Sequence, residues 1–263
     1  MTDAGIALQG RGAGVGTGRK RLIARTVRVS SLDAATRESA FELFRQSYAE
    51  ADRARFDSDL AEKQLVILLD DRAEGGLKGF STVHIQRRGL GTVIFSGDTV
   101  IDRAYWGQKQ LQLAFLRLLL TVKLRSPHRP LYWFLISKGW RTYLLLANGF
   151  GRSVPRCDRG DDVVLRATLD TLATERFGSQ YDSTTSVIRY ARQHERVRED
   201  LAPVPAALQE NPHVRFFAER NPGHLNGDEL ACLADVRFVD LARIGRRLAA
   251  TLTRRAFTRR SRP

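Results

Sequence analysis

"VIDRAYWGQKQLQLAF", residues 100–115, passes from a β-like run into a helix through a turn that holds a single glycine. Upstream, "GTVIFSGDTVID" (91–102) is dense in β-branched and aromatic residues and reads as a strand. Downstream, Leu111, Ala114, Phe115, Leu118, Leu119 and Val122 recur at helical spacing and make a broad apolar face. A helix that opens directly after a strand presents unpaired backbone amides, and a phosphate group binds well against them. Turns that cradle phosphate are usually packed with glycine. This one sets Tyr105, Trp106, Gln108 and Lys109 around Gly107.

Working outward, "QLVILLDD" (64–71) and "LKGFSTVHIQRR" (77–88) precede it as two further strands, joined by short turns at Gly75-Gly76 and Gly89. Turns that short make an antiparallel meander. Before the meander, "RLIARTVRVSSL" (21–32) reads as a first strand. "DAATRESAFELFRQSYAEADR" (33–53) reads as a helix capped by Asp33, with Phe41, Phe44 and Tyr48 on one face. After the long helix, "SPHRP" (126–130) is a break and "LYWFLIS" (131–137) is apolar throughout, as a central strand is. "GWRTYLLLANGFG" (139–151) is a short helix ended by Gly149, "DVVLRATL" (162–169) a strand, and 170–201 a mixture of helix and turn. "ENPHVRFFAERNPGHLNGDELACLADV" (210–236) holds two Asn-Pro turns, an aromatic helix and a last strand-like run; the aromatic and Asn-Pro content of 211–230 suggests a lid over the acceptor side of a cleft. From Arg237 an arginine-rich amphipathic helix carries Phe238, Leu241, Ile244, Leu248 and Leu252 on one face.

The formal net charge of +14 is concentrated at the two ends. Residues 1–32 hold six basic residues against Asp3, and residues 242–263 hold eight arginines and no acid, so the body between them is close to neutral. The glycines of "QGRGAGVGTGRKR" (9–21) follow no strand and match no phosphate-loop register, so this stretch reads as a disordered basic tail. Two cysteines exclude a disulfide framework, and the five histidines form no short-spaced ligand pair, so no metal site is expected. The most apolar run, 111–124, is interrupted by Arg117 and Lys123 and is too short to span a bilayer. The expected location is cytoplasmic. Three roles stay open for the C-terminal helix: lying on an anionic membrane at the inner face, contacting nucleic acid, or docking on the body. Its apolar face disfavours nucleic acid.

The order strand, helix, three antiparallel strands, long helix, central strand, short helix, strand, over residues 23–167, resembles the GCN5-related N-acetyltransferase (GNAT) superfamily. That resemblance implies an α/β (α+β) fold with a mixed, mostly antiparallel central sheet flanked by helices. The remaining segments are then a tail at 1–22, a mainly helical C-terminal extension at 168–235, and the arginine-rich helix and tail at 236–263. The resemblance also implies a co-substrate, acetyl-CoA or a longer acyl-CoA. Its pyrophosphate would lie at the turn of Trp106, Gly107, Gln108 and Lys109, and its thioester along the splayed fifth strand at Leu135, Ile136 and Ser137. The family signature Gln/Arg-x-x-Gly-x-Gly/Ala is only half kept: Gly107 takes the first glycine position, Lys109 stands at the second, and Trp106 stands where arginine is common.

"ISKGWRTYLLLANGFG" (136–151) resembles the second family landmark and ends in the matching Gly149-Phe150. The family often places a leaving-group tyrosine four residues before that glycine. Leu145 stands there and Tyr143 lies two residues earlier, about 200° round the helix, so Tyr143 is the acid if the helix start is locally different and a packing tyrosine otherwise. Asp98, a carboxylate in the middle of an apolar strand, is the candidate base. Strand alternation puts it on one face with Ser96 and Val100. The implied activity is acyl transfer from a CoA thioester to an amine or hydroxyl of a small-molecule or lipid-linked acceptor. The alternative is a non-catalytic GNAT-like binding module whose basic tails touch a membrane or polyanion.

Overall fold

The computed structural model describes residues 20–190 and 206–260, without the side chains of 206, 207 and 254–260. The expected tail as far as residue 19, the stretch 191–205 and the last three residues lie outside the described residues. Strands β1 (Leu22–Arg28), β2 (Leu65–Asp71), β3 (Leu77–Arg88) and β4 (Gly91–Ile101) form the expected antiparallel meander. In the β2–β3 turn, Gly75 and Gly76 have φ of 71° and 76°, a region that only glycine enters cheaply. Asp71 Oδ1 closes that turn by accepting from the amides of Ala73 and Glu74 at 2.7 and 2.9 Å.

Helices α1 (Ala34–Ser47) and α2 (Arg53–Ala61) join β1 to β2. Asp33 caps the first by accepting from Thr36 N at 2.7 Å, and Asp52 caps the second by accepting from Arg55 N at 2.7 Å. Helix α3 (Gln110–Arg125) carries the chain across the sheet, so that β5 (Leu131–Ser137) returns parallel to β4. There follow α4 (Trp140–Gly149), β6 (Arg152–Val154), α5 (Val163–Phe177), the hairpin of β7 (Tyr181–Asp182) and β8 (Val187–Ile188), α6 (Ala206–Gln209), α7 (Pro212–Arg220), β9 (Glu229–Asp235) and α8 (Phe238–Arg260).

The sheet order is β1-β2-β3-β4-β5-β9-β8-β7, with β6 also on β9. Every described strand pair is antiparallel except β4 with β5. Both faces of the sheet are covered. Along β2, Val66 and Leu68 pack with Phe44 and Phe56 of α1 and α2, while Ile67 and Leu69 pack in a core shared with α3, α4, α7 and α8. Helix α5 covers the same face as α1 and α2, against Val93, Phe95 and Phe134. A strand apolar on both sides is what such a double covering requires.

Three expectations need correction. Residues 163–169 are helix, not strand: Asp162 accepts from Leu165 N at 3.1 Å, and Leu165, Leu169 and Leu172 turn one stripe onto the sheet, leaving Val163 and Val164 exposed. The cap and the helical period outweigh the β-branched start. The extension at 168–235 is mainly helical but not separate, because β9 is an inner strand between β5 and β8. The aromatic helix of that extension is not a lid over the acceptor side either. It is α7, whose Val214 and Phe217 are buried beside Tyr143 of α4.

Of the three roles open to α8, the structure shows docking. Leu241 and Leu248 are buried, Ile244 packs on the core, and Gly245 faces Leu116 of α3. Asp240, also buried, accepts from Gly151 N at 3.0 Å and from Arg243 at 2.6 Å. Arg243 and Arg247 donate to the C-terminal carbonyls of α4, Gly149 O and Asn148 O, each at 2.9 Å. Leu241→Ala is therefore expected to lower the unfolding free energy by about 2–5 kcal/mol, whereas Leu252→Ala, at 38% exposure, changes it by about 0.5 kcal/mol or less. Denaturant titration of both variants checks this; equal, small losses would contradict docking.

Candidate active site

Strands β4 and β5 pair only from Thr92/Leu131 to Ser96/Leu135. Beyond that point both continue, β4 to Ile101 and β5 to Ser137, but no longer together. Strand β5 stays held on its other side, where Ile136 pairs with Ala231 and Ser137 with Leu230 of β9. The result is a wedge-shaped split in the middle of the sheet, lined by strand backbone that has lost its neighbour. Groups of that kind seek a new hydrogen-bonding partner. Leu135 is buried at its apex, Ile136 is half-buried, and Ser137 donates its hydroxyl to Gly139 O at 2.7 Å.

The decisive turn lies where β4 ends. Gly107 has φ of 81°, so a glycine is needed there whatever binds. Gln108 does not face a ligand: its amide accepts from Leu22 N at 3.0 Å and donates to Lys20 O at 3.2 Å, lashing the turn to the start of β1. The Trp106 indole donates to Ile101 O at 2.8 Å and closes the turn on itself. Lys109 stands at the N-cap of α3, and no side chain caps that helix. The N-terminus of α4, at Gly139, is likewise uncapped, whereas Asp33, Asp52, Asp162 and Asn211 cap α1, α2, α5 and α7.

Arg141, one residue into α4, joins these two helix starts. Its guanidinium lies 4.7 Å from the ring centre of Trp106 and 4.5 Å from that of Trp140, and Arg103 lies 6.0 Å over Trp106. Burial, and then the nearby charge of Arg103, lower the pKa of Arg141. A bound anion would relieve the second strain. The Trp140 indole N–H is buried with no hydrogen-bond partner among the described residues. A pyrophosphate at this turn would meet the amides that open α3, with Lys109 at the N-cap and the Arg141 guanidinium beside Trp106.

On the opposite face, the split opens onto a cluster of buried charges. Between Ser81/Thr99 and Val83/Ser96 the β3–β4 register shifts, so Gly97 and Asp98 together oppose Thr82. A bulge of this kind re-aims a side chain. Asp98 therefore does not share a face with Ser96, which accepts from the Trp133 indole at 3.0 Å on the α3 side. It joins Val100 on the α2 side, within the field of Lys138, Asp59, Lys63 and Arg55. Burial raises the pKa of Asp98, and Lys138 offsets part of the rise. Glu229, first residue of β9 and 6% exposed, is raised for the same first reason, with Lys138 and Tyr190 opposing. Lys138 Nζ lies 3.7 Å from Glu229 Oε1, and the Tyr190 hydroxyl donates to Glu229 Oε2 at 2.6 Å.

Beside this cluster, a cleft of about 390 Å³ runs between α2 and α5, bordered by Asp59, Glu62, His84 and Arg176 over a floor of Phe95 and Phe134. His84 is a wall of that cleft, its pKa lowered by burial and by the charges of Arg176 and Lys63. Tyr143 is not brought to the split. It is fully buried, its hydroxyl donates to Pro155 O at 3.3 Å, and its ring lies among His213, Phe216 and Phe217. Lys138 was legible, with Ser137, as a polar group at the end of an apolar central strand, where such groups face a cleft or a solvated turn; Glu229, Tyr190 and Arg141 carried no motif, and a charge at the start of an apolar run was the one signal available for Glu229.

The meander, the crossover helix, the one parallel pair and the split after it are what the sequence resemblance implies. The fold is GNAT-like. No family model matches the chain, and no curated protein does. Solved structures that are similar include a GNAT family N-acetyltransferase from Escherichia coli in complex with CoA, 16% identical over 48% of this chain and 67% of that one, with a TM-score of 0.35. A Trypanosoma brucei acetyltransferase is 21% identical over 54% of this chain and 100% of its own, with a TM-score of 0.37. Glucosamine-6-phosphate N-acetyltransferase from Arabidopsis thaliana is 16% identical over the same shares, also at 0.37. Scores at this level add nothing to what the order of the GNAT-like sheet itself shows.

Two variants separate the carboxylate of the split from the tyrosine outside it. The folded-state pKa of Asp98 is raised, so its ionised form weighs against the fold once the pH exceeds that pKa, and the penalty vanishes below the unfolded value. Asp98→Asn is expected to raise the thermal midpoint near neutral pH and to leave it nearly unchanged at about pH 3. Tyr143→Phe should cost roughly 1 kcal/mol at both pH values. Thermal melts at the two pH values check both; a lower midpoint for Asp98→Asn near neutral pH would contradict the assignment.

Proposed function

We propose that this chain is an acyl-CoA-dependent acyltransferase that passes its thioester through the split between β4 and β5. The observation that carries the reading is the split itself, with an uncapped helix and arginines on one face of the sheet and proton-accepting carboxylates on the other. A pyrophosphate held at the start of α3 would direct the rest of the CoA arm into the wedge, where the unpaired edge of β4 is free to hydrogen-bond it. CoA supplies the activated acyl group; this chain's residues orient it and manage protons.

Asp98 is the base in this account. Its raised pKa brings it toward the range in which a carboxylate accepts a proton efficiently from an incoming nucleophile. The cleft over Phe95 and Phe134 leads to the same cluster through Asp59 and takes the acceptor, an amine or hydroxyl compound. The basic charge of the turn suits acetyl-CoA and longer acyl-CoA alike.

Calorimetric titration with CoA, acetyl-CoA and a long-chain acyl-CoA tests the reading. Binding is expected in the micromolar range for at least one thioester and at least tenfold weaker for Arg141→Glu and for Lys109→Glu. Asp98→Asn should bind equally well and lose about 10²–10⁴-fold in kcat. In the native chain, kcat/KM should rise with pH through a value above the ordinary carboxylate range. No binding of any thioester at millimolar concentration would instead favour a non-catalytic binding module.

A further inference from the structure

With Tyr143 buried outside the split and the Tyr190 hydroxyl committed to Glu229, the reaction proposed above needs another group to protonate the departing thiolate. The group best placed is Lys138. It follows Ser137 directly, where β5 has already parted from β4 and is still fixed to β9. Its side chain is only 8% exposed, and it lies on the face of the sheet that Asp98 occupies. Four elements converge on it. Glu229 of β9 lies 3.7 Å from Nζ, the Tyr48 ring at the end of α1 lies 4.9 Å from it, Asp98 of β4 is within its field, and Tyr190 beyond β8 reaches it through Glu229. Helix α2 adds Asp59, which acts on both carboxylates, and Arg55, which with Lys63 just beyond that helix acts on Asp98.

A lysine ammonium buried at the end of a strand has given up its water, and here Glu229 and the field of Asp98 stand in for it. Nothing in the packing of β5 requires it, since Leu131, Trp133 and Leu135 already fill that strand's other face. We propose that Lys138 donates the proton that the CoA thiolate takes as it leaves, and that Glu229, itself fixed by Tyr190, is the positioning residue that holds the Lys138 ammonium at the split. The inference rests on the acyltransferase reading and adds its missing acid.

The step balances within the site. The acceptor nitrogen or oxygen attacks the thioester carbonyl and gives its proton to Asp98. The carbon–sulfur bond breaks and its electron pair goes to sulfur. Sulfur then takes a proton from Lys138 Nζ, and Lys138 recovers one from the protonated Asp98. No oxidant or further reactant is needed, and the products are the acylated acceptor and free CoA thiol.

The thiol of bound CoA is its own probe, which removes any need to know the acceptor. Thiolate absorbance in the ultraviolet, measured as the difference between the CoA complex and the protein alone, gives the thiol's pKa. An ammonium within reach of sulfur lowers it, so CoA on the native chain should ionise about 1 unit or more below CoA on Lys138→Met. Lys138→Gln, which keeps a hydrogen bond to Glu229, serves as a second neutral variant and should behave as Lys138→Met does. Glu229→Gln should give an intermediate value. Equal thiol ionisation in the native chain and both neutral variants, with CoA binding intact by calorimetry, would overturn this inference alone. Failure of the native chain to bind CoA would overturn the acyltransferase reading and this inference with it.

Discussion

The parting of β4 from β5 after Ser96 and Leu135 is the constraint on which the rest of the structure depends. Two adjacent parallel strands do not separate in mid-sheet unless each is held firmly elsewhere. Strand β4 is held by the long β3, and β5 by β9, which returns from far down the chain to lie along it. The inner position of β9 therefore makes the wedge permanent. It also explains why the C-terminal third cannot be an appended module: without β9 the free end of β5 would have no partner on either side.

The same geometry decides where charge can be buried. The wedge joins two chemically different surfaces, the start of α3 with Lys109 and Arg141 on one face and the group of Asp98, Lys138 and Glu229 on the other. Ionised groups out of water weigh against the fold, and burial is the largest influence on the pKa values of Asp98, Glu229 and Arg141 alike. Stability is supplied elsewhere. Ile67, Leu68 and Leu69 are fully buried in β2, and the stripe of α8 covers α3. A chain that spends stability at one place in its sheet and recovers it in the surrounding layers has the usual distribution for a functional site.

Much of the architecture was legible because each segment carries its own period. The meander follows from alternating runs and glycine turns, β5 from its unbroken apolar run, and α1 from Asp33 and the spacing of Phe41 and Phe44. Residues 162–169 were not legible because local β-branched content points one way and the Asp162 cap, with leucines at helical spacing, points the other. The side of the sheet on which Asp98 lies was hidden by a single extra residue at Gly97, since one step of register reverses every facing thereafter. Lys138, Glu229 and Tyr190 meet only through the insertion of β9, which no local pattern announces. The glycine-poor turn, by contrast, was legible as a departure, and the structure supplies the reason: Gln108 and Trp106 fasten the loop, and the cations beside it come from Lys109 and from α4.

A crystal structure of the chain soaked with CoA is the most direct test of the central claim. The account predicts the pantetheine arm between β4 and β5 beyond Ser96 and Leu135, with pyrophosphate at the amides that open α3 and sulfur on the side of Asp98 and Lys138. CoA bound elsewhere, or a wedge closed by direct pairing of residues 97–101 with 136–137, would contradict it.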